Sequence, residues 1–106
     1  MIEIKGIFKA TEIKEVNGKK LMILSNSDKD QNGNYINTYY KMWCTEKVSN
    51  MVSVELKKKI EKTLLVIDGW LKVSVSESNG KKYTNLTIFP KRIEEYKKGG
   101  MWLCWL

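Results

Sequence analysis

Along most of the chain apolar and polar residues alternate one by one, which is the pattern of half-buried β-strands. The first case spans residues 2–14, where Ile4 and Phe8 fall on one side of the strand and Lys5 and Lys9 on the other. Further segments with alternation or high strand propensity predict strands over residues 20–24, 35–45, 63–77 and 82–89.

The segments between these strands carry turn residues. Asn17-Gly18 and Asn79-Gly80 are dipeptides typical of two-residue β-hairpin turns. Residues 25–34 are rich in Asn, Ser, Asp and Gly, which favours a mobile loop. The chain therefore alternates strands with short turns, as antiparallel sheets do.

One segment has a different period. Residues 53–61 space their apolar positions as a helix does, with Ser53 as the expected N-cap, so they predict a single short helix. Gly6 within the first strand predicts a bulge or a barrel corner. Pro90 is expected to end the last strand, and residues 91–100 form a charged exit from the domain.

The predicted order is three strands, a helix and two strands. A barrel of five antiparallel strands with its helix between the third and fourth is the OB-fold, so the sequence predicts an all-β OB-fold with one short helix. An SH3-like barrel shares the hairpins but has less use for a helix at that position. We expect one domain over residues 1–98, since 106 residues are too few for two domains of ordinary size.

Residues 99–106 are predicted to form a separate tail. Gly99-Gly100 make a flexible joint, and residues 101–106 (MWLCWL) are almost wholly apolar. Such a surface needs cover from its own barrel, a sister subunit or a partner protein. We expect oligomerisation to provide this cover.

Charge and composition narrow the function. The net charge of +7, from 19 basic and 12 acidic residues, favours a polyanionic partner. The chain has no histidine, and its two cysteines, Cys44 and Cys104, lie far apart, so it offers neither a zinc-binding motif nor a histidine-based catalytic site. We expect no enzyme activity, metal or cofactor. The pattern shows no signal peptide and no membrane span, which predicts a cytoplasmic protein.

The most informative feature is a set of aromatic and lysine residues at alternate positions of the last two strands. One face of the sheet should therefore carry Trp70, Lys72, Tyr83, Thr87 and Phe89. The core should be formed by the intervening residues Leu71, Val73, Val75, Leu86 and Ile88. Exposed rings beside cations suit the stacking of unpaired bases next to their phosphates. A subunit interface is the alternative place for the Trp70 side chain.

The third strand repeats this arrangement. Its predicted outer residues are Tyr35, Tyr39, Lys41 and Trp43, and its predicted core residues are Ile36, Tyr40, Met42 and Cys44. One bulge would exchange the faces of the neighbouring tyrosines, so both stay candidates. Four lysines are predicted at the hairpins that flank the binding groove of an OB barrel: Lys19, Lys20, Lys81 and Lys82. Three others are expected on the solvated face of the helix: Lys57, Lys58 and Lys59.

Three segments resemble bacterial and phage single-stranded-DNA-binding proteins: residues 38–43 (TYYKMW), 68–73 (DGWLKV) and 79–86 (NGKKYTNL). The resemblance covers roughly residues 2–96. It implies stacking on Tyr39 or Tyr40, Trp43 and Trp70, and backbone contacts from Lys41, Lys72, Lys81 and Lys82. The chain differs from the family in lacking an acidic C-terminal tip.

Sequence-tolerant binding of single-stranded DNA during phage or bacterial replication or recombination, by a homo-oligomer (dimer or tetramer), is thus the leading hypothesis. The alternatives are a protein-interaction module that uses the same rings, and an RNA-binding OB or cold-shock-like module. The predicted nucleic-acid-binding residues are Tyr35, Tyr39, Tyr40, Lys41, Trp43, Trp70, Lys72, Lys81, Lys82 and Tyr83.

Overall fold

The computed structural model describes residues 1–96, which contain five strands and three short helical segments. The predicted tail, its Gly99-Gly100 joint and Cys104 lie outside the described residues. The elements are β1 (Ile2–Val16), β2 (Lys19–Lys29), β3 (Tyr35–Trp43), α1 (Glu46–Met51), α2 (Val54–Lys58), a 3₁₀ turn (Ile60–Lys62), β4 (Leu64–Ser78) and β5 (Lys81–Glu95). The longest of these helices has six residues, far from the roughly 20 that a membrane span needs.

The five strands form a closed barrel in the order β1-β2-β3-β5-β4. All neighbours are antiparallel except β3 and β5, which run parallel and meet at Lys41 and Thr87. With its helical segments between β3 and β4, this arrangement is the OB-fold, and the predicted fold class is confirmed.

Strand β1 takes part in two pairings. Its first half pairs with β4, and its second half pairs with β2. The register of the second pairing shifts at Thr11, whose hydroxyl donates a hydrogen bond to the carbonyl of Ile23 at 3.1 Å. The bulge of β1 therefore lies at Thr11. The pairing of β1 with β4 runs through Gly6 without a register shift, so the bulge predicted there as one of two alternatives is absent.

Both predicted Asn-Gly hairpin turns are present. The φ angles are 51° and 76° at Asn17 and Gly18, and 53° and 77° at Asn79 and Gly80. Two consecutive residues with positive φ define the type I′ turn, whose twist matches that of the strands it joins.

Two strand ends were predicted wrongly. Residues 25–29 belong to β2 and not to a loop, because Ser25 pairs with Tyr39 and Lys29 with Tyr35 along β3. Backbone pairing holds this polar stretch in the sheet, although Ser25 and Asn26 are only half-buried and residues 27–29 are exposed. Strand β5 also continues past Pro90, where the sequence predicted its end.

Proline is tolerated in β5 because a bulge accompanies it. Asp68 lies opposite Arg92 and Gly69 opposite Pro90, which leaves Lys91 as the extra residue on β5. A side chain at position 69 would collide with this bulge, since a β-carbon there would lie 2.7 Å from the Cα of Pro90. Gly69 is therefore the residue that lets β5 bulge against β4.

The helical region differs from the predicted single helix of residues 53–61. It consists of α1, α2 and the 3₁₀ turn. Ser53 caps α2 as predicted, whereas Thr45, which the sequence placed at the end of the third strand, caps α1. Each cap hydroxyl accepts a hydrogen bond from a backbone N–H, Val48 at 3.3 Å and Leu56 at 3.1 Å. Helix α1 is too short for its periodicity to appear in the sequence.

The core fills the barrel and the space under the helical segments. Its most deeply buried side chains are Leu24, Met42, Leu65, Ile67 and Ile88. The predicted core set is only partly right. Leu71 and Leu86 are half-buried, and Val73, Val75 and Ile36 are 50%, 63% and 53% exposed, because they lie on hairpin segments that extend past the end of the barrel.

The parallel pairing of β3 with β5 determines where these hairpins point. Tyr35 and Lys81 each lie six residues before the paired Lys41 and Thr87, so the β2–β3 and β4–β5 hairpins project from the same end of the barrel. The β1–β2 turn lies at the opposite end, next to Trp43.

Candidate nucleic-acid interface

The aromatic and lysine residues of the last two strands share a face. In the antiparallel register Trp70 lies opposite Phe89, Lys72 opposite Thr87, and Ser76 opposite Tyr83. Phe89 is 43% exposed and its neighbour Ile88 only 1%, so this face points away from the core. The sheet thus presents rings and a cation on its outside.

Strand β3 extends the same surface. Its residues Tyr35, Tyr39, Lys41 and Trp43 alternate with the buried Met42, and Lys41 pairs with Thr87 of β5. We call this surface the outer face and define it by Tyr35, Tyr39, Lys41, Trp43, Trp70, Lys72, Lys81, Tyr83, Thr87 and Phe89. It runs from the two projecting hairpins to the β1–β2 turn.

Polar contacts connect the three strands across this surface. The ammonium of Lys41 donates to Oδ1 of Asn85 at 3.5 Å, and Nδ2 of Asn85 donates to the hydroxyl of Ser76 at 3.0 Å. Asn85 shares the parity of Thr87 and therefore lies on the outer face. These contacts place a cation at the centre of the surface, between its aromatic ends.

At one end of the outer face Trp43 and Phe89 border two depressions. The larger, of about 670 Å³, is also lined by residues of the β1–β2 turn, by Lys19 and Lys20 next to that turn, and by Cys44. The smaller, of about 150 Å³, is lined by the same two rings and by residues of α1 and β5. A nucleotide base could stack on the rings that line the larger groove, where Lys19 and Lys20 would lie near the phosphate of that nucleotide.

The thiol of Cys44 lines this groove. Burial raises the pKa of Cys44, and the charge of Lys20 and a backbone hydrogen bond from Met22 only partly oppose this effect. The thiol therefore stays protonated at neutral pH and is a poor nucleophile. Within residues 1–96, no three acidic or cysteine side chains come together as metal ligands.

Trp70 has a neighbour that the sequence did not indicate. The ammonium of Lys91 lies over the Trp70 ring, 4.6 Å from its centroid, and also 3.2 Å from Oε1 of Glu3. Lys91 was expected in a charged exit from the domain, because neither the continuation of β5 nor its bulge was predicted. Asn85 was missed as well, since a lone Asn in a strand carries no sequence signal.

Two of the ten predicted site residues lie off the outer face. Tyr40 points inward, with its ring edge-on to Phe8 at 5.2 Å and its hydroxyl donating to Asn26 at 3.2 Å. Lys82 lies on the opposite face of the β4–β5 hairpin from Tyr83. The structure brings the other eight predicted residues together on one surface. The ammonium of Lys29 lies over one of them, 5.3 Å from the centroid of the Tyr35 ring.

Comparison with known proteins supports the fold. No protein-family model matches the sequence, and no curated protein is similar to it in sequence. Among solved structures, the small single-stranded DNA-binding protein from Streptomyces coelicolor aligns with a TM-score of 0.61 and 14% identity, covering 93% of this chain and 97% of that one. A small single-stranded DNA binding protein from Mycoplasma pneumoniae aligns with a TM-score of 0.53 and 12% identity, covering 94% and 97%. At these identities the likeness shows a shared fold.

Proposed function

We propose that this protein binds single-stranded DNA with little sequence preference, by stacking bases on the outer face. The observation that carries the proposal is the joint placement of rings and lysines on one side of three adjacent strands. The two structures of the same fold named above are single-stranded DNA-binding proteins, which agrees with this use of the surface.

The dimensions of the surface suit an extended strand. Tyr35 and Trp43 are eight residues apart on β3, which corresponds to about 26 Å at roughly 3.3 Å per residue. OB-folds bind about 4 to 16 nucleotides each, so a strand of a few nucleotides would span this path.

Two interactions contribute to the proposed binding: base stacking on the aromatic rings and ionic contacts between lysines and phosphates. Stacking contributes about 1 to 3 kcal/mol per base and accepts every base, because each has a π-face. Lysines neutralise phosphates and make affinity fall with salt. Duplex DNA hides its base faces in its own stack, so only the electrostatic part remains available to it. Stacking therefore provides the preference for single strands.

We place this activity in the replication or recombination of a phage or bacterial genome, in the cytoplasm where that DNA lies. We also propose that the chain acts as a homo-oligomer, a dimer or tetramer, in which several outer faces hold one strand. The proposed role is binding without a catalytic step.

A titration with oligo-dT, followed by quenching of tryptophan fluorescence, tests the proposal. Saturable quenching that salt reverses is expected, since Trp43 and Trp70 lie on the outer face. A parallel titration with oligo-U measures any preference for RNA. The absence of quenching by either polymer would instead favour the protein-interaction module.

A further inference from the structure

The ring of Trp70 is not freely available to a base. Lys91 covers it with a cation 4.6 Å from the ring centroid, within the range of a cation–π interaction. Trp70 is 36% exposed. A base that stacks on this ring must take the place of the ammonium.

The position of Lys91 is built into the backbone. Lys91 is the extra residue of the bulge opposite Asp68 and Gly69, and bulges redirect side chains out of the normal alternation of a strand. The fold therefore sets this cation beside the ring.

A carboxylate holds the ammonium in place. Glu3 lies opposite Trp70 in the pairing of β1 with β4, and its Oε1 is 3.2 Å from Nζ of Lys91. The Lys91 and Glu3 side chains are 44% and 63% exposed, so solvent screens the pair and it is weak. A DNA phosphate could replace the Glu3 carboxylate at little cost.

We propose that Lys91 is a phosphate-binding residue at the Trp70 end of the outer face, and that Glu3 competes with DNA for it. In the free protein Lys91 caps the ring and pairs with Glu3. When a DNA strand binds, one of its bases stacks on the Trp70 ring and one of its phosphates pairs with the Lys91 ammonium. This inference rests on the proposed function and adds to it a residue pair that sets the affinity.

The test compares Glu3→Gln and Lys91→Ala, singly and combined, by anisotropy of labelled oligo-dT at several salt concentrations. Glu3→Gln should tighten binding up to about fivefold, the range expected for removing an exposed ion pair. Lys91→Ala should weaken binding and reduce the log–log salt slope by about 0.7, the value of one phosphate contact on a single strand. In a protein that already carries Lys91→Ala, Glu3→Gln should no longer tighten the binding of oligo-dT beyond the general effect of removing one negative charge.

The control is Glu55→Gln, which removes the same charge from α2, a helix that contributes no residue to the outer face. A gain from Glu3→Gln no larger than that of the control would overturn the inference, as would a Lys91→Ala variant with wild-type affinity and slope. In both cases wild-type binding to oligo-dT would leave the proposed function standing. If the wild-type protein does not bind oligo-dT, both fail together. Melting temperatures equal to wild type establish that each variant is folded.

Discussion

Trp70 on β4 lies directly opposite Phe89 on β5, with both side chains on the outer face of the barrel. Each ring is more than a third exposed, although aromatic side chains are on average well buried. Cross-strand aromatic pairs stabilise sheets by about 0.2 to 1 kcal/mol, so the pair also supports the fold. Its exposure is the feature that a stacking function explains.

Replacing Trp70 by alanine should weaken binding to oligo-dT by about 1 to 3 kcal/mol, the value of one stacked base. The melting temperature should fall only slightly, because the ring lies outside the core. Trp70→Phe keeps a ring and should retain most of the affinity. A large loss of stability with unchanged binding would show that this side chain serves packing instead.

Lys41 and Lys72 should each contribute one phosphate contact. Lys41→Ala or Lys72→Ala should reduce the log–log salt slope of binding by about 0.7 per variant. Lys57→Ala is the matched control, since Lys57 is exposed on α2 and should leave the slope unchanged. Equal slopes for all three variants and the wild type would exclude both lysines from the interface.

Gly69→Ala should destabilise the barrel by about 1 to 3 kcal/mol, because the new β-carbon would collide with the backbone of Phe89 and Pro90. Thermal unfolding should show this as a decrease of at least about 4 °C. Gly6→Ala is the control, since its nearest neighbour is the Phe8 side chain at 3.3 Å rather than backbone. Equal losses in both variants would argue against a special role for the bulge.

Cys44 offers a chemical probe of the groove beside Trp43. In a Cys104→Ser protein, bound oligo-dT should slow the alkylation of Cys44, because the strand would cover the groove that the thiol lines. The reactive form is the thiolate, and burial raises the pKa of Cys44, so the rate should keep rising at pH values where an exposed thiol levels off.

The Cys44→Ser protein, which retains Cys104, controls for effects of DNA on the reagent. Alkylation of Cys44 at the same rate with and without saturating oligo-dT would remove this groove from the binding path.

Deleting residues 101–106 should lower the oligomeric state or make it more dependent on concentration, because this segment is almost wholly apolar and needs cover. Single-strand binding should persist with lower avidity, since the outer face lies within residues 1–96. Light scattering measures the mass. An unchanged mass would exclude the segment from assembly.

Much of the fold was predictable because it depends on local patterns. Alternating apolar residues predicted the strands, and the Asn-Gly dipeptides predicted two hairpin turns. The structure shows that both are type I′, which few other residue pairs accept because both central φ angles are positive. The face of β4 and β5 followed from parity alone, because their register is unbroken from Gly69 to Ser78.

The remaining features depend on contacts between distant residues. Pairing with β3 extends β2 to Lys29. The residues of this extension are polar, so they show no alternation of apolar and polar positions from which a strand could be predicted. The bulge at Lys91 needs Gly69 on another strand, so β5 could not be followed beyond Pro90 from its own sequence. For the same reason the contact of Lys91 with Trp70 was not predictable.

The proposed function requires that the outer face recognise exposed base faces. The most direct test measures affinity for a single strand of about 30 nucleotides and for its duplex, in parallel at about 150 mM salt. The protein should bind the labelled single strand much more tightly than the duplex. Unlabelled single strand should displace the labelled single strand, whereas an equal amount of unlabelled duplex should not. Equal affinity for the two would contradict base stacking and leave only a general attraction between lysines and phosphates.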